Sequence, residues 1–379
     1  MVCFGLGLGL FEAVAAADAI FAEPVVGRAR WGDDADTREL GLLVDMRALG
    51  VLAADRLASF PARRYGLEDQ IPALISARAG LRAAFRDTPL ILVARVDIAE
   101  SARPYRDARA GAVTDGVLDD LYLEWTAARP FHLVVGRARV PWSKPRQFDE
   151  LDEPLGSPPF VVDRIAPDRR WGALVVGDLG AAAYAAGAWE DFDALEPRIR
   201  VGDPSSGGAF VTGAWLEWTP RAPMYGGNPV GAIVGARGPL PTPRNDPWFD
   251  TWRISAGAGA LARVRDDGST RFDLALSVLT KWGPVSGQAE VFLASEAGKQ
   301  TLGGDAELMV TPVDRIALSL RGEFDDGAPN GGERSAAAAV QYHVTKDRRN
   351  RLGVVAWVRR DVDRDTPYDA VTVFLQASL

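Results

Sequence analysis

From residue 38 to the end of the chain, apolar and polar positions alternate with a period of two. In 89–99, Leu90, Leu92, Ala94, Val96 and Ile98 share one face, and Arg95 and Asp97 lie on the other. In 270–281, Phe272, Leu274, Leu276 and Val278 stand opposite Asp273 and Ser277. In 313–325, Ile316, Leu318, Leu320 and Phe324 oppose Arg315, Ser319, Arg321 and Glu323. The last segment sets Val371, Val373, Leu375, Ala377 and Leu379 against Thr372, Gln376 and Ser378. Successive side chains of a strand point to opposite faces, so each segment is a strand with one apolar and one polar side. Read against the turn signals, the pattern predicts sixteen strands: 38–48, 71–85, 89–99, 117–126, 131–140, 170–177, 181–190, 208–218, 251–264, 270–281, 285–295, 301–310, 313–325, 333–344, 351–361 and 367–379.

Strand length separates the candidate folds. Strands of soluble proteins usually run about 5–6 residues, whereas a tilted strand needs about 9–11 to cross a bilayer. Most of the predicted strands run 10–14. The count is even, and the connections alternate. Tight links fall at 86–88, 127–130, 178–180, 283–284, 311–312 and 346–350, and the long ones at 49–70, 100–116, 141–169 and 191–207. Short turns at one end and long loops at the other, with an even strand number, describe a bacterial outer-membrane barrel. The link 219–250 fits poorly as a short turn, and its residues 230–236 are a candidate extra strand. Trp125, Trp218 and Trp282 end strands beside short turns; Trp142, Trp171 and Trp189 stand beside long loops. Two such bands are expected to form the aromatic girdles at the two membrane interfaces. Hydrocarbon cannot hydrogen-bond an open sheet edge, so a spanning sheet must close. The predicted fold is all-β: a closed antiparallel sixteen-stranded transmembrane barrel over 38–379, with 1–37 outside it.

Composition agrees by exclusion. The chain has 379 residues, one Cys, two His and a net charge of −8. One Cys makes no intrachain disulfide, and Cys3, His132 and His343 match no zinc-site spacing. The acidic balance excludes nucleic acid as the expected partner. No apolar run reaches the length of a membrane helix. Residues 1–22 hold a short apolar stretch, with Ala17 and Ala19 in a small-residue cleavage pattern, and read as a secretory signal. No G-x-S-x-G elbow is present. His132 is expected on the lipid side and His343 on the lumen side, so an enzyme is not expected; a hydrolase within the barrel is the minor alternative. Asp325-Asp326-Gly327 reads as an extracellular turn. Neither cofactor nor metal is expected.

The polar faces supply the candidate pore residues. Arg47, Arg78, Arg82, Arg95, Arg137, Arg139, Arg315, Arg321 and Arg359 are answered by Asp45, Asp97, Asp120, Glu124, Asp273, Glu290, Asp305, Glu307 and Glu323. Opposed acids and bases make a transverse field that admits hydrophilic solutes and ions with little preference of sign. The long link 141–169 is expected to fold into the barrel and set its narrowest point. A structureless loop beyond about 15 residues is uncommon and usually functional. Its Leu151, Leu155, Phe160, Val161 and Val162 need burial. Segment 141–170 carries Lys144, Arg146, Arg164, Arg169 and Arg170 against Asp149, Glu150, Asp152, Glu153, Asp163 and Asp168. The acids of 149–153 are expected to pair with Arg78, Arg82, Arg95, Arg137 and Arg139 on the wall.

The stretch 117–190 carries a more specific likeness. It contains Val135-Gly136-Arg137-Ala138-Arg139-Val140-Pro141-Trp142, then Ala166-Pro167-Asp168-Arg169-Arg170-Trp171-Gly172 and Gly177-Asp178-Leu179-Gly180. This resembles the phosphate-selective porin family of bacterial outer membranes, the O/P type. Weaker similarity continues in Gly283-Pro284-Val285-Ser286-Gly287-Gln288-Ala289-Glu290 and Thr311-Pro312-Val313-Asp314-Arg315. The resemblance implies a sixteen-stranded homotrimeric porin with its third loop constricting the pore, passing small hydrophilic solutes and possible anions such as phosphate. The family's selectivity rests on basic residues in the pore, and here the acids outnumber the bases in the third loop. The competing reading is a non-conducting scaffold or adhesin barrel.

Overall fold

The computed structural model describes residues 27–31, 38–54, 73–85, 90–101, 115–128, 131–147, 155, 159, 161–162, 169–178, 182–190, 210–218, 241, 249–264, 269–296, 298–327, 332–344, 350–361 and 367–378. The strands are β1 (Gly27–Trp31), β2 (Arg38–Ala54), β3 (Ala73–Phe85), β4 (Leu90–Ser101), β5 (Asp115–Ala128) and β6 (Phe131–Arg139). There follow β7 (Arg169–Asp178), β8 (Ala182–Glu190), β9 (Phe210–Trp218), β10 (Arg253–Val264), β11 (Thr270–Trp282) and β12 (Val285–Glu296). The last are β13 (Lys299–Val313), β14 (Ile316–Asp325), β15 (Glu333–His343), β16 (Arg351–Asp361) and β17 (Pro367–Ser378). All lie in one antiparallel sheet of seventeen strands. From β2 to β17 each strand pairs with the next in sequence, and β17 pairs back onto β2, Ser378 opposite Asp45 and Ala370 opposite Ala54. Each predicted segment overlaps one of β2–β17.

Two departures from the sequence reading stand out. Residues 1–37 were expected outside the sheet, yet β1 pairs with the start of β2, Trp31 opposite Arg38. That end of β2 projects beyond its pairing with β17, and β1 takes up the open edge groups. The turn expected at 311–312 lies instead at Asp314 and Arg315: a register shift between Val310 and Val313 carries β13 past Pro312. Segment 230–236, the candidate extra strand, lies outside the described residues.

The two faces differ as the alternation requires. Leu92, Val96, Leu274, Leu276, Leu318, Leu320 and Leu375 are exposed, from 38% at Val96 to 63% at Leu276, on the face opposite the buried charges. Trp125, Trp218, Trp252 and Trp282 are exposed at the short-turn end, where Trp252 stacks on Trp282 with ring centroids 5.9 Å apart. A belt of exposed Leu, Val and Trp this wide is an aggregation hazard in water and a solvated surface in hydrocarbon.

The inward face is divided. On β4–β12 it holds an apolar cluster including Ile91, Val93, Tyr122, Val134, Leu174, Val176, Trp189, Val211, Trp215 and Phe292. Val140, Trp142, Val161 and Val162, from the link after β6, belong to the same cluster. Trp142 and Trp189, expected in the second girdle, are therefore interior, at 2% and 3% exposure; Trp171 is half-buried. Proximity to a long loop did not put them at an interface because the loop packs on the inner wall and offers indole a dry apolar site.

Candidate pore interior

The link between β6 and β7 leaves the wall at Val140 and forms a short helical turn at Lys144–Gln147. It reaches strands far from its own. The Lys144 ammonium donates to both carboxylate oxygens of Glu217 on β9, at 2.5 and 2.6 Å. The Lys144 backbone N–H donates to Glu290 on β12, at 3.1 Å. The Trp142 ring lies 5.6 Å from that of Phe292, also on β12. Gly259 of β10 makes room: a Cβ there would sit 2.8 Å from the Trp142 carbonyl oxygen and 2.6 Å from the Trp215 ring. Leu155, Val161 and Val162 are buried as their apolar character requires. Leu151 and Phe160 lie outside the described residues.

A basic group occupies the wall from β4 to β7. Asp120 is ion-paired with Arg95 at 2.7 Å and accepts from Arg169 Nε at 2.9 Å. Arg95 and Asp120 are direct cross-strand partners. Arg137 and Arg170 each donate to the Arg169 carbonyl oxygen, at 3.4 and 2.9 Å. Arg95, Arg137, Arg139 and Arg169 are all buried. Gly136 arranges this. Its φ of +133° is one that side chains avoid, and a Cβ would strike the Leu121 carbonyl. Strict alternation ends there, so Arg137, Ala138 and Arg139 are buried in succession.

Eight strands on in the pairing order, β13 presents acids. Register places Glu290 of β12, Asp305 of β13 and Glu323 of β14 in one row. Arg321 sits among them, 3.7 Å from Glu307 and 3.8 Å from Glu323, its guanidinium 5.7 Å from the Trp357 ring centroid. Asp273 on β11 accepts from Arg271 at 2.6 Å and is paired with Arg263 at 3.2 Å. Arg351 donates to Gln341 at 2.9 Å, and Gln341 to Ser319 at 3.3 Å.

Two predicted placements are corrected. Arg315, expected in the lumen, is exposed in the shifted β13–β14 turn and donates to Tyr342 Oη at 3.2 Å. His132, expected on the lipid side, is buried, its Nδ1 3.0 Å from Glu124 Oε1. Phe131 and Val135 take the outward positions of β6, which leaves His132 and Val134 inside. His343 is buried and inward, as read from the alternation. Of the remaining predicted residues, Asp149, Glu150, Asp152, Glu153 and Arg164 lie outside the described residues, as do the side chains of Arg78, Arg82 and Arg146. The structure thus brings together Arg95, Arg137, Arg139, Arg169 and Arg170, and sets Lys144 and Arg321 apart from them among acids. Sequence reasoning passed over Glu217 and Trp215. Their signal was the Gly257-Ala258-Gly259 stretch of β10, two inward glycines that clear the wall for the Trp215 ring.

Neither a family model nor a curated protein matches the chain. Solved structures do. The outer membrane channel DcaP of Acinetobacter baumannii aligns with TM-score 0.56 at 12% identity, over 93% of this chain and 100% of that one. Pseudomonas putida OprB gives 0.55 at 11%, over 90% and 94%. An anion-selective porin from Comamonas acidovorans gives 0.54 at 10%, over 90% and 100%. The chain therefore has the fold of bacterial outer-membrane porins.

Proposed function

We propose that the chain is a general diffusion porin of the bacterial outer membrane. The strands β2–β17 close through the β17–β2 pairing into a sixteen-stranded barrel. The link after β6 is its inward third loop, and small hydrophilic solutes and ions pass between that loop and the facing wall. One observation carries the reading: large apolar side chains are exposed on one face of the sheet while Arg, Lys, Asp and Glu are buried on the other. A soluble sheet does the reverse. Lys144 supports the inward loop, because its partners Glu217 and Glu290 stand three and six strands from β6.

The pore is weakly ion-selective. Arg95, Arg137, Arg139, Arg169 and Arg170 form a basic wall, and Asp305, Glu307 and Glu323 an acidic one, eight strands away and so across a sixteen-stranded ring. Such a field orients dipolar solutes more than it sorts charges. Relation to the phosphate-selective porins, and a trimeric assembly, rest on the resemblance of 117–190. The test is conductance in planar bilayers with reversal potentials under a salt gradient. Open channels with a permeability ratio near one are expected; strong phosphate block would favour the phosphate-selective reading instead. A second reading, a barrel that does not conduct, is favoured by the deep burial of inward residues as far around as Arg351 and His343. Absence of conductance from correctly folded protein would establish it.

A further inference from the structure

The outward surface of β13–β16 is not an even belt. Gly322 of β14 faces Ala336 of β15, which faces Val358 of β16; in the next row Leu320 faces Ala338, which faces Ala356. All six are exposed. The four small residues leave an open groove of about 540 Å³ whose lining is almost wholly apolar. One outward step from the groove, towards the links 325–333 and 361–367, Arg334 of β15 stands directly opposite Arg360 of β16. Both are exposed. Their outer cross-strand neighbours are Phe324 and Pro367. Two guanidinium groups side by side at one end of an apolar groove suit a ligand with an anionic head and an apolar tail.

Position along the strand fixes the depth. The outward residues of β15 run Arg334, Ala336, Ala338, Val340 and Tyr342, the last bonded to Arg315. At about 3.3 Å per residue and a tilt near 40°, Arg334 and Tyr342 are separated by roughly 20 Å across the bilayer, close to the ~25 Å apolar band of such barrels. The two arginines thus lie at headgroup level, on the side of the long loops, with the groove beneath them in the acyl region.

We propose that Arg334, Arg360 and this groove form a binding site for a lipid with a phosphate headgroup, in the leaflet on the long-loop side. The phosphate lies between the two guanidinium groups, which bind it through paired charge-assisted hydrogen bonds. An acyl chain fills the groove over Ala336, Ala338 and Ala356. The proposal rests on the membrane reading above, since it takes the exposed face as the lipid face.

Native mass spectrometry of the full chain in a zwitterionic detergent tests it, with phosphatidic acid and phosphatidylcholine of identical acyl chains as probes. Phosphatidic acid should be retained at least tenfold more than phosphatidylcholine. The variant R334Q/R360Q should lose that preference, and Ala338→Phe, which fills the groove, should lower retention of both. Ala336→Leu serves if the Phe variant does not fold. Inorganic phosphate at millimolar concentration should not compete, because it lacks the chain. Equal retention of the two lipids, no effect of R334Q/R360Q, or competition by free phosphate would overturn the proposal. So would a change of oligomeric state in the groove variants with lipid retention intact, which would give the groove to a second copy. Bilayer conductance of the same preparation separates the two failures: channels without lipid preference sink only this inference, whereas protein that does not insert sinks the membrane reading.

Discussion

Lys144 ties the loop to two strands: its buried ammonium donates to Glu217, and its backbone N–H donates to Glu290. A buried ion pair is weak evidence for stability as a whole, but breaking one half is costly, about 3–5 kcal/mol, because it strands the other charge. Lys144→Met should therefore lower resistance to denaturant by that order. The double variant Lys144→Met/Glu217→Met should recover most of the loss, since no unpaired carboxylate remains at 217. Single-channel recordings provide a second readout. If Lys144 pins the third loop, Lys144→Met channels should show larger and noisier openings, and an unchanged current trace would show that the loop is held by Trp142 and its apolar neighbours instead. Asp120 is the converse case, one carboxylate between Arg95 and Arg169. Asp120→Asn should remove the carboxylate that these two guanidinium groups share, raise anion preference in reversal-potential measurements, and destabilise the fold.

Strand against strand, the row Glu290, Asp305, Glu323 is unusual, because directly opposed like charges work against sheet pairing. Arg321 offsets part of this repulsion. Asp305→Asn should relieve more of it and be neutral or stabilising in chemical unfolding, while shifting selectivity towards anions. A stability loss above ~1 kcal/mol would mean that the carboxylate makes bonds that an amide cannot replace. The third loop gives the matching prediction on the other side. Neutralising Asp149, Glu150, Asp152 and Glu153 together should raise anion preference by leaving wall arginines less compensated. No change in reversal potential in the quadruple variant would dissociate those acids from the pore.

For the molecule as a whole, the outward belt is the decisive surface. Leu276 and Leu320 are 63% and 57% exposed. On a soluble protein, replacing either with Arg would be close to neutral or favourable. At the bilayer midplane the same change costs about 2–4 kcal/mol. Leu276→Arg and Leu320→Arg should therefore each reduce folding into lipid vesicles, measured as the heat-sensitive mobility shift on gels, while conductance of the molecules that do insert is unchanged. Equal folding of the variants and the unmodified chain in vesicles would place the belt outside hydrocarbon.

The sequence by itself determined the strands and their sidedness. Period-two alternation is local: whether Leu274 and Leu276 share a face with Asp273 or oppose it is written within a few residues, and each predicted segment overlaps a strand. Spacing also exposed the long third loop and its need for burial. Tertiary structure decided the rest, because it depends on what meets across the interior. Trp142 beside a long loop reads equally well as an interfacial anchor or as a core residue; only Phe292, Trp215 and the cleared space over Gly259 make it core. The register shift at Val310–Val313 moved Arg315 out of the lumen, and no single-strand pattern encodes a bulge that arises from pairing. Glu217 and Lys144 are 73 residues apart in the chain. That a loop lysine finds that carboxylate follows from the path of the link across the sheet, a long-range arrangement that alternation along one strand does not specify.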